Sequence, residues 1–171
     1  HEHLPRFAGF GVDEVCGELM KKHILPRPVV TDRVDAFAEK NFSTPMVGVH
    51  IRQTDLRMPL EEVGKTVEDL KRELGARVYL ATDNPRVERM MGELFKDELV
   101  LMPKRYPDGE KHMHSHRITG MSNFDKAVDA MVEMYLLSRC NAIVRYQPSS
   151  FARISGYCSN LPAERLIAVP A

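Results

Sequence analysis

Apolar and polar positions follow two different periods along most of the chain, and this pattern predicts strands that alternate with helices. Short runs rich in β-branched residues predict buried strands at 46–51, 77–82, 99–102, 142–146 and 166–169. Between them, apolar residues recur every three or four positions, which predicts helices at 13–23, 31–40, 60–74, 124–139 and 149–158, and one that starts at Pro85. Pro26 and Pro28 are expected to break the chain ahead of the second helix. Strands that alternate with helices predict an α/β fold, a parallel sheet with helices on both faces.

Composition narrows the class of protein. The 171 residues are 43% apolar and 28% charged, which predicts one globular domain with a sizeable core. The 24 basic residues balance the 24 acidic ones, which argues against a broad basic face for nucleic acid, so any anion site must be local. The sequence shows no membrane-spanning run and no signal peptide, and the three cysteines do not suggest a disulfide framework. The compartment stays open: cytoplasmic for a bacterial protein, the Golgi or ER lumen for a eukaryotic one.

Polar clusters follow three of the predicted strands. They are His50, Arg52 and Asp55 after the first strand, Asp83 and Asn84 after the second, and Ser149 and Ser150 after the fourth. Ligands of open α/β sheets bind beyond the carboxyl ends of the strands, so these clusters are expected to converge on one ligand. Taken singly, each has a plainer reading: Arg52 and Asp55 as a surface ion pair, and Ser149 as a helix cap.

The chemistry of the clusters favours a diphosphate. Arg52 offers a planar fork of donors that can bind two phosphate oxygens, and serine hydroxyls at a helix start supplement the free amides and the helix dipole. Arg153, one turn into that helix, either helps or is a solvated arginine.

Glu133 is a carboxylate inside the mostly apolar helix 124–139. A carboxylate there can accept from both the ring N–H and the exocyclic amine of guanine, a pair that adenine cannot donate. The alternatives are that Glu133 pairs with a nearby arginine or faces solvent, and that Asp129, one turn earlier, is the acid that reads the base.

Residues 103–123 predict a long polar loop, which is expected to lie over the ligand. It carries His112, His114 and His116, whose alternation leaves a zinc site open as a weaker alternative. Cys140 is expected to be a core residue.

Three ordered blocks of this sequence resemble the fucosyltransferase superfamily that includes α1,6-fucosyltransferases, the rhizobial nodulation fucosyltransferase and protein O-fucosyltransferases. The blocks are GVHIRQTD at 48–55, RVYLATDNP at 77–85, and LLSRCN at 136–141 followed by SSF at 149–151.

The resemblance implies the C-terminal, donor-binding half of a GT-B glycosyltransferase, with a Rossmann-like nucleotide-sugar-binding domain at 13–171 and a lead-in or linker at 1–12. The donor would be GDP-fucose, and the transfer inverting and metal-independent, with no cofactor beyond the donor. Arg52 would be the catalytic residue that binds the β-phosphate and helps GDP leave. The remaining donor-binding candidates are His50 as a nucleotide contact, Asp55, Asp83, Glu133 at the guanine, and Ser149, Ser150 and Phe151 at the phosphate.

The acceptor would be a hydroxyl of a glycan or glycolipid, and a missing N-terminal domain is expected, so that the isolated chain could be an inactive half-enzyme. Gln53 and Asn84 depart from the α1,6 pattern, where an arginine and an aspartate stand. The α1,6 enzymes place a candidate catalytic base in a longer loop after the first block. The segment after Asp55 is short here, and Glu61 and Glu62 are the carboxylates that follow it as possible substitutes. These departures keep a second reading open, a non-catalytic nucleotide- or sugar-binding module of the same fold.

Overall fold

The computed structural model describes residues 9–52, 59–106, 118, 120–147 and 149–170. The strands are β1 Met46–Ile51, β2 Arg77–Thr82, β3 Leu99–Leu101, β4 Ala142–Tyr146 and β5 Leu166–Val169. The helices are α1 Val12–His23, α2 Pro28–Asn41, α3 Leu60–Leu74, α4 Pro85–Phe95, α5 Asn123–Ser138 and α6 Ser150–Cys158. Two short 3-10 turns, Lys96–Glu98 and Ala163–Arg165, lead into β3 and β5.

The five strands form one parallel sheet in the order β3-β2-β1-β4-β5. The predicted fold class, a Rossmann-like parallel sheet with helices on both faces, is therefore confirmed. β1 is central and all six of its residues are buried, which explains its continuous apolar run. The chain steps outward from β1 to β2 and β3, then crosses back to β4 on the other side of β1. The strand order thus reverses beside β1, and α/β sheets open a crevice at such a reversal.

Each face of the sheet has its own apolar core. On one face, α3 and α4 cover the sheet through side chains such as Val63, Val67 and Met91. On the other face, α2 and α5 pack over Tyr79 and Ala81 of β2. α5 lies between α2 and α6, as its largely apolar sequence predicts, and α1 packs on α6 without burying any residue of its own.

Helix α2 begins three residues earlier than predicted. Pro28 does not break the chain; it is the first residue of the helix, and Arg27 is the N-cap. A proline fits that position because its fixed φ is helical and because an N–H group in the first turn would have no acceptor within the helix. Thr31 is therefore inside the helix and does not cap it.

Close approach of β1 and the end of α5 depends on Gly48. A β-carbon built at Gly48 would lie 2.8 Å from Cys140 Sγ and 3.0 Å from Leu137 Cδ2. Cys140 is buried as predicted, and burial raises the pKa of its thiol well above the ordinary value. Gly48 of the first block is thus a packing residue that lets the C-terminal end of α5 lie close to β1.

Candidate functional site

A cavity of about 270 Å³ opens at the carboxyl edge of the sheet. It receives residues from the ends of β1 and β2, from the segment after β3, and from α5 and α6, so it lies where the strand order reverses. Its lining residues are His50, Arg52, Thr82, Asp83, Lys104, Met121, Lys126, Asp129, Ala130, Glu133, Ser150, Phe151 and Ile154.

Arg52 and Asp83 face each other across the ends of β1 and β2. Arg52 Nε lies 3.9 Å from Asp83 Oδ2, and the two side chains are 35% and 13% exposed. The parallel register explains this, because Ile51 pairs with Thr82 and the next residue of each strand leaves the sheet at the same edge. Arg52 therefore keeps a partly exposed guanidinium at the cavity wall, as the sequence predicts.

His50 is enclosed by the start of α6. Its Nδ1 lies 2.9 Å from Ser149 Oγ, and its ring stacks on Phe151 with centroids 4.8 Å apart. Burial lowers the pKa of His50 to about 3, with smaller effects from the charges of Lys104 and Arg52, so the imidazole is neutral at physiological pH. His50 and Phe151 thus form a rigid, uncharged wall of the cavity.

The two serines of the third block have different places. Ser149 is the N-cap of α6, where its hydroxyl accepts from the Ala152 amide, and it does not line the cavity. Ser150 is the first helical residue and does line it. The positive end of the α6 dipole therefore borders the cavity at Ser150, and Ser149 supports it through the cap and His50.

Glu133 is largely buried, with 12% of its side chain exposed, and it is paired with Lys104. Lys104 Nζ donates to Glu133 Oε1 at 2.5 Å and also to the Thr82 carbonyl oxygen. Burial raises the pKa of Glu133, and the charge and hydrogen bond of Lys104 oppose that rise. The sequence prediction allowed for pairing with an arginine; the structure shows a lysine from the segment after β3.

Lys104 is a charged cavity residue that the sequence does not predict. Its side chain is only 3% exposed. A signal for it exists, because Lys104 follows β3 at the same carboxyl edge of the sheet as the polar clusters after β1, β2 and β4. The single lysine there did not stand out among the polar residues of the loop.

Asp129 and Arg153 have protein partners. Asp129 lines the cavity and binds Arg33 of α2 at 2.7 Å. Arg153 points away from the cavity and binds Asp13 of α1 at 2.5 Å, so it takes no part in this site. Of the two open readings of Arg153, the phosphate contact is wrong.

Several predicted residues lie outside the described part of the chain. These are Gln53, Asp55, His112, His114 and His116. The two ends of the 103–123 loop are described, and both reach the cavity, through Lys104 and Met121. Within the described ranges no group of three or more His, Cys, Asp or Glu side chains could hold a metal ion, and no helix has the length and apolar character needed to cross a membrane.

Asn84 and the two glutamates of α3 are clear of the cavity lining. Asn84 is the N-cap of α4 and accepts from the Arg86 amide at 2.8 Å. An aspartate would cap equally well, so this departure from the α1,6 pattern has a local structural role. Glu61 and Glu62 lie in the first turn of α3 and are exposed.

Comparison with known proteins identifies the family. The family model for nodulation protein Z, NodZ, matches residues 10–169. The chain belongs to the NodZ family. Nodulation protein Z of Azorhizobium caulinodans is 29% identical over 149 residues, which cover 75% of this chain and 43% of that protein. The chain spans 38% to 50% of the curated relatives that it matches.

Solved structures show the same fold. A crystal structure of the NodZ α-1,6-fucosyltransferase co-crystallised with GDP superposes with a TM-score of 0.52 and 27% identity, over 77% of this chain and 41% of that one. POFUT1 in complex with GDP-fucose has a TM-score of 0.54 at 13% identity, over 82% and 46%, a likeness of fold alone. The predicted family and the predicted likeness to fucosyltransferase folds are thus confirmed.

Proposed function

We propose that this chain is the donor-binding half of a fucosyltransferase and holds the GDP of GDP-fucose in the cavity at the sheet edge. The observation that carries the proposal is the convergence of Arg52, Ser150 and Glu133 on one cavity in a chain of the NodZ family. The NodZ structure with GDP supports the choice of nucleotide.

The cavity lining combines two kinds of chemistry. Arg52, Ser150 and the start of α6 suit a diphosphate, because they offer a fixed cation and helix amides. Glu133 suits the donor groups of guanine. The stacked rings of His50 and Phe151 add an uncharged surface to the lining, which suits the nucleoside.

In the proposed reaction, the bond between the fucose anomeric carbon and the β-phosphate oxygen breaks, and its electron pair stays on the phosphate. Arg52 stabilises that charge. The hydroxyl oxygen of a glycan or glycolipid attacks from the opposite side, which inverts the configuration, and its proton passes to a base. We propose that no metal takes part, because a fixed guanidinium can stabilise the departing diphosphate.

Removal of Arg52 tests the phosphate assignment. Arg52→Ala is expected to weaken GDP binding about tenfold to a hundredfold, since a hydrogen bond to a charged group contributes about 1.5–3 kcal/mol. Arg153→Ala is the matched control, because it removes an α6 arginine that does not line the cavity. Isothermal titration calorimetry on the 171-residue chain makes the comparison. Equal GDP affinity in Arg52→Ala and Arg153→Ala would refute the assignment.

A non-catalytic nucleotide- or sugar-binding module is the second candidate. It is favoured by the position of Glu61 and Glu62, which are exposed on α3 and do not line the cavity as a replacement base would. Incubation of the full-length protein with GDP-fucose separates the candidates. Release of GDP with free fucose, or with a fucosylated acceptor, shows a working enzyme; GDP binding without either product supports the module.

A further inference from the structure

We propose that Lys104 is a positioning residue that makes the cavity selective for guanine, by holding Glu133 as an oriented carboxylate. This inference rests on the proposed function, because it assigns Glu133 to the nucleobase of the donor. It concerns a residue that none of the three sequence blocks contains.

The geometry ties Glu133 to the sheet. Lys104 Nζ bonds both Glu133 Oε1 on α5 and the carbonyl oxygen of Thr82, the last residue of β2. Thr82 is buried and its position is fixed by pairing with Ile51 of β1. The ammonium group of Lys104 therefore connects the flexible side chain of Glu133 to the backbone of β2. One carboxylate oxygen and its direction are set before any ligand enters.

Most of the groups around Glu133 disfavour its ionised form, and Lys104 opposes them. Asp129 on α5 and Glu88 on α4 both disfavour a charge on Glu133, as does burial. Two phenols also lie nearby, Tyr79 of β2 and Tyr106, whose ring is 5.7 Å from Lys104 Nζ. Arg33 already binds Asp129, at 2.7 Å. Among the residues that the structure describes, Lys104 is the one whose charge and hydrogen bond favour the ionised form of Glu133, and Lys126 of α5 also lines the cavity.

Ionisation decides which base the carboxyl group recognises. A carboxylate only accepts hydrogen bonds, and guanine presents two donors, the ring N1–H and the 2-amino group. A protonated carboxyl group donates one bond and accepts one, which matches N1 and the 6-amino group of adenine. Loss of the Lys104 charge is therefore expected to convert a guanine-selective site into one that tolerates adenine.

The test compares GDP with ADP. In Lys104→Met, which keeps the linear side chain and removes the charge, the ratio of GDP to ADP affinity at pH 7 is expected to fall about tenfold or more, since a hydrogen bond to a charged group is lost. The ratio is expected to increase again as the pH is raised, because Glu133 without its partner ionises only at higher pH. Lys104→Arg should keep the wild-type ratio. Lys71→Met is the matched control, since Lys71 forms its ion pairs with Glu68 and Glu98 outside the cavity.

A merely structural role for Lys104 gives a different result. Glu133→Gln should lose the GDP preference at every pH, and adding Lys104→Met to it should lower the ratio no further. If Lys104→Met lowers the ratio of GDP to ADP affinity equally in the wild-type chain and in Glu133→Gln, the proposal is overturned. A Lys104→Met chain that is folded by circular dichroism and keeps the wild-type ratio of GDP to ADP affinity would also overturn it.

The wild-type chain provides a test that needs no variant. Its GDP preference is expected to be constant between pH 6 and pH 8, and a preference that falls as the pH drops to 6 contradicts a carboxylate held ionised by Lys104. Failure of the wild-type chain to bind GDP at all would refute the proposed function itself. A GDP-binding chain whose preference does not depend on Lys104 refutes only this inference.

Discussion

The side chains that line the cavity are held in place by other residues of the protein. His50 is bonded to Ser149, Glu133 to Lys104, and Arg52 lies opposite Asp83. Such pairing fixes rotamers before a ligand arrives, so that less conformational entropy is lost on binding. An internal partner for each of these residues is therefore compatible with the ligand contact that we propose for it.

The buried, neutral His50 makes stability depend on pH. Its pKa is about 3 in the folded chain, and about 6.5 is ordinary for an unfolded one, so only the unfolded chain takes up this proton between those values. Stability is therefore lost as the pH falls below about 6.5. Between pH 6.5 and 5 the free energy of unfolding should decrease by about 2 kcal/mol through this residue, at about 1.4 kcal/mol per pH unit.

Urea denaturation of His50→Asn at pH 6.5 and 5 measures that contribution. The variant should lose about 2 kcal/mol less stability than the wild type over this interval. His23→Asn, exposed at the end of α1, is the control and should keep the wild-type pH dependence. A His50→Asn chain as sensitive to pH as the wild type would show that His50 is not held neutral by burial.

At the scale of elements, the sequence predicts what depends on local pattern. Periodicity placed all five strands, because each is short, apolar and bounded by polar residues. It misplaced the start of α2, where proline suits both a break and a first helical turn. It also could not show that Arg153 turns towards Asp13 of α1, or that Lys104 reaches Glu133, since these contacts join residues 140 and 29 positions apart.

The contact between β1 and the end of α5 allows a direct test. Gly48→Ala is expected to destabilise the fold by about 1–3 kcal/mol, because the added methyl group would lie 2.8 Å from Cys140 Sγ. Gly92→Ala is the control, since a β-carbon there meets no atom within 4 Å and alanine favours the helix α4. Thermal and urea unfolding measure both.

Cys140→Ala checks whether the cost of Gly48→Ala comes from this contact. The substitution of Gly48 should cost less in a chain that already carries Cys140→Ala, because the nearest atom is gone. If the effects of the two substitutions on the free energy of unfolding are additive, the cost of Gly48→Ala does not come from its contact with Cys140.

At the scale of the whole molecule, the position of the cavity follows from the topology. α3 leaves β1 towards one face of the sheet and α6 leaves β4 towards the other, so the edge between β1 and β4 stays open. The formal net charge is zero, and the cavity lining is balanced as well, because Arg52, Lys104 and Lys126 stand beside Asp83, Asp129 and Glu133. An anion here would therefore be held by the placement of individual groups, such as Arg52 and the start of α6, and not by an excess of positive charge.

Because the cavity is formed within a single sheet, the 171-residue chain should bind GDP by itself. Bound GDP stabilises the folded state by about 2.7 kcal/mol at a concentration one hundred times the Kd. For a domain of this size that corresponds to a rise in Tm of about 5–10 °C, which differential scanning fluorimetry resolves. GDP should raise the Tm of Arg153→Ala equally and that of Arg52→Ala much less. A folded wild-type chain whose Tm does not change with GDP would refute the assignment of the donor site to this cavity.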